Sequence, residues 1–231
     1  TFPVYDRLGT LIGFIGRSIR DEAPKYYKTA EMGCVYGLNL INRFSGPAII
    51  VEGPIDHAVL TQNGFKSIDT MGIGMIYKST LSSLRQHGNK AYLYFDYDEA
   101  GAMATAKSIP VLYSLGILPM VVEAKKDPDE TLLELGADRF RDMLSESKTA
   151  AQWIATKYKG IDALDLFRKT ITHCQDESLA KIEMAHFTKE SGIPVTAMAS
   201  SSSGMYDHYI LDCVKLYPEL YTEVMNSECP I

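Results

Sequence analysis

From Ala48 onward the chain alternates short apolar runs with stretches of helical character, and this alternation limits the fold more than any other feature. Ala48–Val51 is an uninterrupted apolar run between Gly46-Pro47 and Gly53-Pro54, as expected of a strand buried on both faces. Pro54 suits a first helical position, and the pattern predicts a helix from there toward Gly64. The same reading predicts a strand over 67–71, a helix over 79–86 and a strand over 90–95. A helix over 99–115 follows, with a small-residue face (Ala100, Gly101, Ala102, Ala104, Ala106), then a strand over 117–122 and a charged loop over 123–130. Strands alternating with helices of this length imply a mostly parallel sheet with helices on both faces.

The flanks read differently. Thr1–Ile19 predicts a hairpin, with strand-like Phe2–Tyr5, a turn at Asp6–Gly9 and a returning strand at Leu11–Ile15, and residues 20–34 are polar and irregular. Beyond about residue 138 strand signals fade, and helices are predicted over 150–158, 163–174, 179–190 and 206–216. Ser200–Gly204 has the composition of a flexible linker. Four units follow: 1–46, 47–145 as the α/β domain, 146–199 as a helical subdomain, and 200–231 as linker and terminal helices. Thr1 opens directly on strand-like sequence, as in a piece excised from a longer chain.

A chain of 231 residues buries enough surface for a core without disulfides or a structural metal. Its apolar runs are far shorter than the ~18 residues that cross a bilayer, so no membrane partner is expected. Cys34, Cys174, Cys213 and Cys229 form no CxxC and have no paired His spacing, so no zinc site is expected and the cysteines read as free thiols of a reducing, intracellular compartment. The five histidines show no ligand spacing.

Ligands of an open parallel sheet bind beyond the carboxyl ends of its strands. There the sequence places acids. Val51 runs into Glu52-Gly53-Pro54-Ile55-Asp56, Phe95 into Asp96-Tyr97-Asp98, and the strand ending at Val122 leads to Asp127-Pro128-Asp129-Glu130. An Asp at a helix start often does no more than cap it, and Asp96 or Asp98 alone fits that role. Glu52 caps nothing evident, and three acidic clusters on one edge favour a hard divalent cation held by carboxylates and shared with phosphate. The net charge of −6 argues against coating nucleic acid by bulk electrostatics, although residues 1–51 carry six Lys/Arg against four acids.

Glu52-Gly-x-x-Asp56, followed some forty residues later by Asp96-x-Asp98 and Glu-Ala-Gly101, resembles the TOPRIM domain of primases, topoisomerases and certain nucleases. Phe2-Pro3-Val4-Tyr5-Asp6, Ile12-Gly13-Phe14-x-Gly16-Arg17, Pro24-Lys25-Tyr26, Tyr36-Gly37-Leu38 and Asp127-Pro128-Asp129-Glu130 narrow the resemblance to DnaG-type bacterial and phage primases over about residues 1–145. It implies a Rossmann-like TOPRIM α/β fold, preceded by a β-hairpin segment and followed by a helical bundle. Residues 1–46 would belong to the N-terminal primase subdomain.

The implied activity is metal-dependent, template-directed synthesis of RNA primers from ribonucleoside triphosphates on single-stranded DNA. The resemblance implies that Glu52, Asp96 and Asp98 hold catalytic Mg²⁺ or Mn²⁺, as two or more ions. Asp56, Asp127 and Asp129 would be further ligands, and Arg17, Lys25 and Lys28 would meet nucleotide phosphates. It also implies a cytoplasmic setting, in a bacterium or phage-infected host, with a replicative helicase as partner through the C-terminal helices. Two departures matter: Glu31–Tyr36 is too short for a Lys segment the family carries, and the family's zinc-binding domain and most of its basic subdomain have no counterpart. The alternatives are a TOPRIM nuclease and a non-catalytic module docking on a helicase.

Overall fold

The computed structural model describes residues 1–20, 24, 26–29, 35–71 and 84–194. The expected hairpin is present as β1 (Phe2–Tyr5) and β2 (Leu11–Arg17), paired antiparallel, and a third strand, β3 (Tyr26–Lys28), extends it. Its turn is held by Asp6, whose Oδ1 accepts from the amides of Leu8 and Thr10, both at 2.9 Å. Val4, Ile15 and Met71 form the small core beneath this sheet.

The main sheet runs, in spatial order, β5 (Ser67–Asp69), β4 (Ala48–Val51), β6 (Lys90–Leu93), β7 (Leu118–Val121) and β8 (Lys148–Thr149). Strands β4, β5, β6 and β7 are parallel, and β8 is antiparallel. Leu118 N donates to Asn89 O and Val122 N to Leu93 O, so even-numbered amides of β7 face β6. The missing N–H of Pro119 therefore faces the outer side, where β8 reaches only Met120 and Val121. At the other border, Tyr36 and Asp69 exchange both backbone hydrogen bonds at 3.0 Å.

Alternation within the strands divides the core. Ile49, Val51, Tyr92, Tyr94 and Met120 face α1 (Pro54–Gln62), α3 (Pro128–Leu135) and α4 (Ala137–Ser145). Ile50, Ile68, Leu93 and Val121 face the other side. There they are covered by α2 (Glu99–Tyr113), α5 (Ala150–Lys157), α6 (Gly160–Ile171) and α7 (Glu177–Ser191). Two helices lie where a charged loop and fading signals were expected, α3 and α4. The strand β8 was also unexpected, and it adds a strand to the sheet from the helical side. The predicted helix over 79–86 falls mainly outside the described residues, with a 3₁₀ turn at Leu84–His87. The linker at 200–204 and the helix over 206–216 lie outside them altogether.

Candidate active site

Parallel pairing puts the ends of β5, β4, β6 and β7 side by side, and each runs into a loop. Glu52 follows β4 directly. Its Oε1 is sealed from solvent without a hydrogen-bond partner, and its pKa rises to about 7. Burial is the main cause, and the negative charges of Asp96, Asp98 and Asp127 add to it. Gly53 then makes room for Asp56 in the first turn of α1, since a Cβ there would stand 2.6 Å from Asp56 Oδ2. Asp56 Oδ1 accepts from Asp129 N at 3.3 Å. Burial pushes the Asp56 carboxyl up to about 7, and Asp129 and Asp127 contribute through their charge.

Asp98 is an N-cap as well as a site residue: its Oδ1 accepts from Gly101 N at 2.7 Å at the start of α2. The loop is drawn tight by Asp98 N donating to Asp96 O at 2.9 Å, and the backbone of Asp96 passes so close to Gly101 that a Cβ at 101 would collide with the Asp96 carbonyl. Asp127 sits at the N-cap of α3 without making a side-chain cap bond, which leaves its carboxylate to act on both Glu52 and Asp56. The fold thus brings the six expected acids into two linked groups: Glu52 with Asp96, Asp98 and Asp127, and Asp56 with Asp127 and Asp129. Among the described residues no three His, Cys, Asp or Glu side chains are arranged to hold a metal ion.

Sequence reasoning missed Asp69. It ends β5, is fully buried, accepts from Met71 N at 2.6 Å through Oδ1 and leaves Oδ2 without a partner. Burial lifts its carboxyl to about 7, Lys28 pulling it down and Glu52 pushing it up. The available signal was the one that found Glu52 and Asp96, an acid ending a strand. The expected strand ran on to Met71 and hid it.

The small sheet faces this edge. Lys28 Nζ donates to Met71 O at 2.5 Å, tying β3 to the end of β5. The Arg17 guanidinium lies 5.8 Å from the Tyr26 ring centroid. Burial raises the Tyr26 hydroxyl, Arg17 opposes this, and Asp56, Asp69 and Asp96 add to it. Lys25 lies outside the described residues. Behind the site, His57 is buried against Tyr36, ring centroids 4.8 Å apart. Gly37 takes φ 86 where any Cβ would enter the His57 ring.

Residues 49–132, which hold most of the parallel sheet and its acidic edge, match the Toprim-like family. The chain is similar over part of its length to bacterial DNA primases, as the sequence motifs suggested. It is 32% identical to the DNA primase of Clostridium acetobutylicum over 149 residues, 60% of this chain and 25% of that protein. With the DNA primase of Aquifex aeolicus the identity is 30% over 157 residues, 63% of this chain and 32% of that protein. The chain therefore spans a third or less of these relatives' lengths. Its fold is that of solved primase cores. The zinc-binding and RNA polymerase domains of the Aquifex aeolicus primase align with TM-score 0.70 at 24% identity, over 87% of this chain and 53% of that one. The DnaG catalytic core aligns with TM-score 0.66 at 20% identity, over 83% and 69%.

Proposed function

We propose that this chain carries the catalytic core of a DNA primase, joining ribonucleotides into short RNA primers on single-stranded DNA. The observation that carries this reading is the gathering of carboxylates at one sheet edge, where burial, with their mutual charge adding to it, lifts Glu52 and Asp56 to about 7 and a buried Glu52 oxygen has no hydrogen-bond partner. Like charges gathered at a partly buried edge are costly unless protons or cations offset them, and all the donors are hard oxygens. The donor chemistry fits Mg²⁺ or Mn²⁺. Glu52, Asp96 and Asp98 would hold the catalytic ion, with Asp56, Asp127 and Asp129 as ligands of a second or as supports. When bound, such ions lower the pKa of a 3′-hydroxyl and stabilise the charge on departing pyrophosphate.

The chain's own residues do the rest. Arg17 and Lys28 come from strands that face the edge, and Arg17, Lys25 and Lys28 would meet the triphosphate, Arg17 as a bidentate fork. Lys28 would exchange its Met71 carbonyl for a phosphate oxygen. The Asp98 cap fixes the angle at which Asp96 and Asp98 leave β6. The division into 1–46, 47–145, 146–199 and 200–231 belongs to this reading, with the nucleotide-facing part first. A helicase contact through residues 200–231 and a cytoplasmic setting belong to the same reading.

The test is one gel. The chain is incubated with single-stranded DNA, labelled ribonucleotides and Mg²⁺ or Mn²⁺, beside Glu52→Gln. Short labelled RNA with the native chain alone is the expected outcome. A shortened template would make the protein a TOPRIM nuclease instead.

A further inference from the structure

Beside the acidic edge lies a cleft of about 610 Å³, bounded by the Asp96–Glu99 loop, the first turn of α2, the end of β7 and the last turn of α5. Val121, Val122 and the indole of Trp153 give it an apolar floor. At its mouth Tyr97 is 59% exposed and Met103 52%. Lys157 Nζ stands 6.0 Å from the centre of the Tyr97 ring. This volume lies within the usual range for small-molecule sites, about 300–1,000 Å³.

The lining defines what the cleft accepts. Asp96, Asp98, Glu99 and Glu123 line it, Asp98 accepting from Gly101 N at 2.7 Å and Glu123 paired with Lys148 at 2.7 Å. A free phosphate would meet repulsion there. A flat, uncharged ring with polar edges would not: it gains an apolar floor, an aromatic face at Tyr97 and a cation at Lys157. Tyr97 also stands between Asp96 and Asp98 in the chain, so one loop offers carboxylates for a phosphate-bridging ion and an aromatic face for a ring attached to those phosphates.

We propose that this cleft is the base pocket for an incoming nucleoside triphosphate, with the nucleobase stacked on Tyr97 and its phosphates directed to the acidic edge. The inference rests on the nucleotidyl-transfer reading above and adds where the base goes. Stacking on one aromatic face discriminates little among bases. The pocket therefore suits an enzyme that must take all four nucleotides.

Trp153 is the chain's one tryptophan and lines the cleft, so it reports occupancy directly. The full chain is titrated in Mg²⁺ with ATP, following Trp153 emission, and with inorganic tripolyphosphate by competition. Tyr97→Ala should weaken ATP about tenfold and leave tripolyphosphate unchanged, while Tyr97→Phe retains ATP binding. Equal effects on both ligands, or no effect on either, would overturn the base pocket and leave nucleotide binding intact. If the native chain bound neither ligand, the nucleotidyl-transfer reading would fall and the pocket with it.

Discussion

Gly101 shows how one missing side chain sets a site. Its amide donates to Asp98 while the Asp96 carbonyl passes over its Cα, so one residue fixes both acids of the Asp-x-Asp loop. The obstructing atom is backbone and cannot swing aside, so Gly101→Ala must shift the loop. A displacement near 1 Å at reacting groups costs on the order of 10²-fold in rate. We expect Gly101→Ala to reduce primer synthesis by about that factor while the far-ultraviolet circular dichroism spectrum stays native. Full activity would show that the loop's position is not limiting. At this scale the sequence was informative wherever an acid followed a strand and a glycine followed the acid, as at Glu52-Gly53. Asp69 was missed because the expected strand ran on to Met71, and the sequence was silent on the Lys28–Met71 tie because it depends on which strand end lies beside which, a tertiary fact with no local pattern.

Among the elements, one buried acid ties three helices together. Glu183 of α7 is fully buried, and its Oε2 accepts from Tyr113 of α2 at 2.6 Å and from the Ala151 amide in the first turn of α5 at 3.0 Å. Its Oε1 lies 3.0 Å from His186 Nδ1. A carboxylate at a helix N-terminus is favoured by the exposed amides there, and three elements converge on this one. Removing it strands the Tyr113 hydroxyl and a helix amide in the core. Glu183→Ala should therefore cost about 3–5 kcal/mol, read as a lowered midpoint in urea. A cost below about 1 kcal/mol would mean that water replaces the carboxylate. The helices over 150–158, 163–174 and 179–190 were legible from their apolar period, and Thr149 with Gln152 forms the capping box that starts α5. The helices α3 and α4 were missed because Asp127-Pro128-Asp129-Glu130 also spells a turn. Only in context does Pro128 become a first helical residue. A strand of two residues, β8, leaves no period to find.

For the whole molecule, the crowded acids make folding sensitive to pH. In the folded chain Glu52, Asp56 and Asp69 keep their protons up to about 7, well above their ordinary values of 4.5, 3.8 and 3.8. Between those limits the folded state binds more protons than the unfolded one, so stability falls as pH rises. His57 works in the opposite sense, because burial lowers it to about 4, and below its ordinary 6.5 the unfolded chain takes up a proton that the folded chain refuses. Three carboxyls outweigh one imidazole. Without divalent ions, Tm should be higher at pH 5.5 than at pH 8, and added Mg²⁺ should raise it more at pH 8. A Tm that climbed with pH across this range would mean that contacts other than protons already neutralise the edge. The parallel α/β domain was readable in the sequence because its strands and helices alternate so regularly, whereas the third strand of the small sheet was not. The borders of the main sheet have one more effect. Among the described residues, on the β5 side a reciprocal bridge from Tyr36 occupies the end of the strand, and on the other side Pro119 and the two-residue β8 leave no run of free amides and carbonyls. Neither border, among the described residues, offers a template for a further strand, an arrangement that disfavours edge-to-edge aggregation even though the interior is rich in Ile, Val and Tyr.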